Sequence, residues 1–106
     1  MKLGGAGCIS ATANINPGPI HQLFANWQAP DAQKLQDKLN DLRLAVQKFP
    51  VLPALKQTIA DHLDDPVWAT VRPPLTPLTQ EQITGLRAAL KERGFTMPGL
   101  ALQPAE

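Results

Sequence analysis

The chain has 106 residues, one domain's worth. Hydrophobic residues make up 43% and charged residues 18%, so a packed core is within reach and wholesale disorder is excluded. Lys and Arg total 10 against 9 Asp and Glu, and a net charge of +1 offers neither the basic footprint of a nucleic-acid binder nor that of a membrane-surface helix.

The start, Met1-Lys2-Leu3-Gly4-Gly5-Ala6-Gly7-Cys8, has the positive residue and the cysteine of a lipoprotein signal. Such a signal needs about 7–15 apolar residues between them. Here Gly4, Gly5 and Gly7 interrupt the stretch and Leu3 is its one large aliphatic side chain. No run approaches the roughly 18 apolar residues of a membrane span. The expected location is the cytoplasm. Cys8 is the sole cysteine, which excludes an internal disulfide framework and a multi-cysteine zinc site. It reads as a small buried hydrophobe.

Cys8-Ile9-Ser10-Ala11-Thr12-Ala13 is an apolar, small-residue run free of charge. Glycines precede it, and Asn14-Ile15-Asn16-Pro17-Gly18-Pro19 follows, so it predicts one buried strand over about 8–13. Asn16 as N-cap and the prolines in the first turn predict a helix over about 17–28, with Ile20, Leu23, Phe24 and Trp27 at helical spacing. Leu35, Leu39, Leu42, Val46 and Phe49 recur at steps of four and three and predict a helix over about 31–49. Asp31 and Lys48 stand at its favourable ends. A third helix over about 52–63 carries Leu52, Leu55, Ile59 and Leu63, with Pro53 near its start.

Asp64 to Pro77 is a proline-punctuated link, expected to lie against the body through Val67, Trp68, Val71 and Leu75. Thr79 and Gln82 stand at capping-box spacing and open a last helix over about 79–93, striped by Ile83, Leu86 and Leu90. Gly94 suits the position just past its end. Residues 96–106 read as a flexible tail.

One strand among four helices is a physical problem. Its six residues carry about twelve backbone polar groups, most of which need a partner. Each buried group left unpaired costs about 1–3 kcal/mol, against a total stability of about 5–15 kcal/mol. Nothing else in the sequence reads as a partner strand. Either a second chain supplies one, or the sequence is a piece of something larger.

The segment Gly5-Ala6-Gly7-Cys8-Ile9-Ser10-Ala11-Thr12-Ala13-Asn14, followed by a proline-started helix, resembles the last barrel strand of the dihydrodipicolinate synthase and N-acetylneuraminate lyase family. The resemblance continues through the helix from Asp31 to Phe49, through Pro53-Ala54-Leu55-Lys56, and through Val71-Arg72-Pro73-Pro74-Leu75-Thr76-Pro77-Leu78. It covers Leu3 to Phe95. The resemblance implies a mainly α chain: the carboxy-terminal fragment of a (β/α)8 TIM barrel, with residues 1–29 its last strand and helix. Residues 30–95 would then be a three-helix carboxy-terminal extension. The missing ladder partners would be the first and seventh strands of the closed barrel. A truncated gene, an incomplete reading of one and a deliberately cut piece would all fit, and Met1 sits where the family has chain interior, which favours truncation.

The family's chemistry is a Schiff base between a lysine and a 2-oxo acid such as pyruvate, followed by making or breaking a carbon–carbon bond. The resemblance thus implies a lyase or aldolase, commonly a homotetramer. The lysine must be partly desolvated to be neutral and nucleophilic. In the family it stands on the sixth strand beside a proton-relaying tyrosine. This chain has no tyrosine, and Lys34, Lys38, Lys48, Lys56 and Lys91 read as solvated helix positions. Lys2 precedes the strand, at the end away from a barrel's active site. The family's Gly-Thr-Thr-Gly-Glu-like loop for the substrate carboxylate has no counterpart either. No catalytic residue is therefore assigned, and the isolated chain is expected to be inactive.

Alternation puts Ser10, Thr12 and Asn14 on one face of the strand and Ile9, Ala11 and Ala13 on the other. Thr12 and Asn14, at the barrel-mouth end, are the candidate substrate-binding residues; the competing role is local capping of the strand end. Other constellations read more simply as structure. The glycines of residues 4–7 precede a strand rather than follow one, so they suit a turn and not a phosphate loop. His21 and His62 lack clustered carboxylates, so no metal is expected, and no cofactor motif appears. Pro74 and Pro77 stiffen a link, and Asp64-Asp65-Pro66 suits a turn. The rival to the enzyme-fragment reading is a small helical module without catalysis that self-associates through its apolar stripes.

Overall fold

The computed structural model describes residues 1–99. Helix α1 spans Pro17–Ala25, α2 Ala32–Gln47, α3 Val51–Leu63 and α4 Gln80–Glu92, with short 3-10 helices at Ala11–Asn14 and Pro66–Ala69. Each helix is shorter than its apolar spacing suggested or begins within a residue of it. For α1 the loss is largest: it stops at Ala25, where the Asn26 amide and side chain both bond the Gln22 carbonyl.

The core forms where α2, α3 and α4 meet. Val46, Ala54, Leu55 and Leu86 are buried to 3% exposure or less, joined by Leu42, Leu78 and Leu90. Ile15, just before α1, is inserted into the same cluster at 1% exposure and anchors the amino-terminal segment to it. Phe49, Ile59, Ile83 and Phe95 pack around this centre. Helix α1 lies against α2 but buries none of its own residues.

Two ion pairs tie the helices from outside. Arg93, capping α4, reaches Asp41 of α2 at 2.8 Å, and Arg87 of α4 reaches Asp61 of α3. The capping box at Thr79 is complete: the Gln82 amide donates to Thr79 Oγ1 at 3.2 Å, and the Thr79 amide to Gln82 Oε1 at 2.9 Å. At the far end Gly94 takes φ +62°, the left-handed conformation in which its own amide bonds the Lys91 carbonyl and the Phe95 amide that of Leu90. That turn sends Phe95 back onto the core.

Several expectations are corrected. The segment 8–13, expected as a buried strand, forms none, and no strand occurs among the described residues. Ser10 is extended at φ −134°, ψ 132°, but the next residues close local bonds instead: Ala13 to Ser10, and Ile15 and Asn16 to Thr12. The reason is the one that made the strand problematic. With no neighbouring strand to complete a ladder, i→i+3 and i→i+4 bonds are the ones within reach. For lack of a covering sheet, Cys8 and Ile9 are exposed rather than buried.

Leu52 is also outside the core, at 53% exposure, because the buried face of α3 centres on Ala54, Leu55 and Thr58 and leaves Leu52 at its edge. In the link, Val67, Trp68 and Leu75 are exposed, although Val71 is half-buried. The 3-10 helix at Pro66–Ala69 is held onto α3 by backbone, with the Asp65 amide bonding the Ala60 carbonyl, and its apolar side chains turn outward. Asn16 is the N-cap residue of α1 but makes no side-chain capping bond. The expected tail over 96–106 falls mostly outside the described residues.

Candidate functional site

The segment from Gly7 to Asn14 and the helices behind it hold the candidate residues. Pro17 and Pro19 start α1, Ile15 is inserted into the core, and the 3-10 helix residues just before it pack against α1 and α3. An open groove lies on each side of them. One, about 580 Å³, lies against α1 and the start of α2 and is lined by Cys8, Ala13, Ile20, His21, Phe24 and Trp27 among others. His21 and Phe24 stack there with ring centres 6.4 Å apart. The other, about 350 Å³, runs along α2 and holds Ser10, Thr12, Asn16, Asn40, Arg43 and Gln47.

Thr12 faces the second groove. Its hydroxyl pairs with that of Ser10 at 2.9 Å, so the two form one polar point beside the apolar wall of Leu39 and Val46. Asn14 stands apart from both grooves: it is exposed, and its Nδ2 donates to the Ala11 carbonyl at 2.9 Å. In this conformation Asn14 acts as a local cap, and the two candidates do not converge. The arrangement offers hydroxyl and amide hydrogen bonds and one guanidinium, Arg43. Cys8 and His21 both line the first groove, but among the described residues no hydrogen bond pairs a nucleophile with a base there. Among the described residues no three His, Cys, Asp or Glu side chains are grouped so as to hold a metal ion.

The sites with the most developed electrostatics lie elsewhere. Asp61 accepts from Arg87 Nε at 2.8 Å and from Gln57 Nε2 at 2.8 Å. The Arg87 guanidinium holds the Asp61 carboxyl below the ordinary carboxylate value of 3.8, against a smaller opposing effect of burial. His62 Nδ1 lies 2.9 Å from the Thr58 carbonyl, and its ring meets Phe95 edge to face at 5.5 Å. The Asp61–Arg87 pair joins α3 to α4, the other contacts lie within α3 or between it and the residues after α4, and none of them lines either groove. Sequence reasoning did not find the Asp61–Arg87 pair. The Gln57–Asp61 spacing of one helical turn was a visible signal, but a partner 26 positions away gives none.

The sequence model of the dihydrodipicolinate synthetase family matches residues 1–93. A 4-hydroxy-tetrahydrodipicolinate synthase of Bradyrhizobium diazoefficiens is 32% identical over 100 residues, covering 90% of this chain and 32% of its own length. The synthase of the same name from Rhizorhabdus wittichii is 36% identical over 102 residues, covering 90% of this chain and 33% of its own. That from Roseobacter denitrificans is 36% identical over 95 residues, covering 87% and 32% respectively. No solved structure matches. The chain spans about a third of the length of the curated relatives it matches. It belongs to the dihydrodipicolinate synthetase family. Its helices fit that placement, and none among the described residues is long and apolar enough to cross a membrane.

Proposed function

We propose that this member of the dihydrodipicolinate synthetase family is the carboxy-terminal portion of a Schiff-base lyase or aldolase. Residues 1–29 would be the last strand and helix of its (β/α)8 barrel, and residues 30–95 a helical extension packed outside it. The observation that carries this reading is one pair of facts: the family match runs along residues 1–93, yet the chain equals about a third of each relative. The exposed, unladdered segment around Ile9 supports it, because a closed barrel is the setting that pairs such a segment on both edges.

In the proposed reaction a lysine amine attacks the carbonyl of a 2-oxo acid of the pyruvate type. Water leaves, and the resulting iminium withdraws electrons from the adjacent carbon so that a carbon–carbon bond there can form or break. The lysine and the proton-relaying tyrosine belong to the part of the barrel that precedes this segment, since the chain contains no tyrosine at all. The chain's own share is the mouth end of the last strand. Once residues 8–13 are drawn into a ladder, the Ser10–Thr12 hydroxyl contact opens. Thr12 then becomes free to donate to substrate, and Asn14 is released from Ala11. Alone, the chain is inactive.

The test is the coding sequence that precedes Met1. In frame, it should encode seven strand–helix units, with a lysine on the sixth strand and a tyrosine facing it. A preceding stop codon and start signal, with no such units, would sink the reading.

A further inference from the structure

We draw no further inference here: the strongest candidate, the surface patch made by the exposed apolar side chains Val67 and Trp68 on the 3-10 helix between α3 and α4, carries no proposal because nothing in the structure shows what covers it.

Discussion

The guanidinium of Arg87 on α4 grips the carboxylate of Asp61 on α3 through two parallel bonds, Nε to Oδ2 at 2.8 Å and Nη2 to Oδ1 at 2.6 Å. The geometry is bidentate, yet the Arg87 side chain is 54% exposed and that of Asp61 22%, so solvent screens the pair. Its contribution should be about 0.5–1 kcal/mol, the upper end for exposed pairs. The Asp61 pKa is lowered by folding from 3.8, so this stability is fully present above about that value. It is lost as pH falls through the lower folded-state value. Urea melts of the wild type and Arg87→Met should therefore differ at neutral pH and converge below 3.8. A gap that persists undiminished in acid would show that Arg87 acts through packing instead.

The first turn of α4 depends on Thr79. Its hydroxyl takes the Gln82 amide, and without it that donor faces solvent unpaired by the chain. Thr79→Ala should cost about 1 kcal/mol in urea denaturation, with Thr79→Ser close to neutral. Equal losses from both replacements would mean that the methyl group, not the hydroxyl, matters.

Apolar spacing gave the right helices and a partly wrong core. It placed Leu52 and Leu55 on one stripe, and they differ sharply: Leu52 is 53% exposed and Leu55 is 3%. Leu55→Ala should cost about 2–5 kcal/mol, and Leu52→Ala within about 0.5 kcal/mol. Chemical denaturation of the two variants checks this, and comparable losses would restore the stripe as read from spacing.

That difference shows which information the sequence held. Capping residues act within one turn, so Thr79, Gln82 and Gly94 were legible from their own neighbours. Which edge of an amphipathic helix faces inward depends on where the other helices sit, and Leu52 carries no mark of that. Residues 8–13 are the extreme case. Their composition is that of a strand, but a strand is a property of two segments, and the second is not among the described residues. Thr12 and Asn14 consequently take local bonds, and the candidate site is present in composition without being assembled in geometry.

Gly85 lies on α4 where the Phe49 ring comes close. A Cβ there would meet Phe49 Cε1 and Cζ at 3.4 Å, the near edge of ordinary contact. Alanine gains up to about 1 kcal/mol of helix propensity over glycine. The Phe49 ring is half-buried and has room to yield by a few tenths of an ångström. Gly85→Ala should therefore raise the melting temperature slightly, while Gly85→Leu should lower it. A destabilised alanine variant would mean that Phe49 is held more rigidly than its exposure indicates.

The chain's six lysines provide the chemical test of its proposed role. Lys2, Lys34, Lys38, Lys48 and Lys91 are exposed and Lys56 is half-buried; none lines the groove that holds Thr12. A Schiff-base lysine needs a desolvated amine and an adjacent proton donor. With no tyrosine in the chain and its lysines in or near water, neither condition is met together. Treatment with pyruvate and borohydride should leave the intact mass unchanged apart from scattered, sub-stoichiometric labelling. Stoichiometric capture at any single lysine would place the nucleophile within this segment, and the assignment of catalysis to the preceding barrel strands would have to be abandoned.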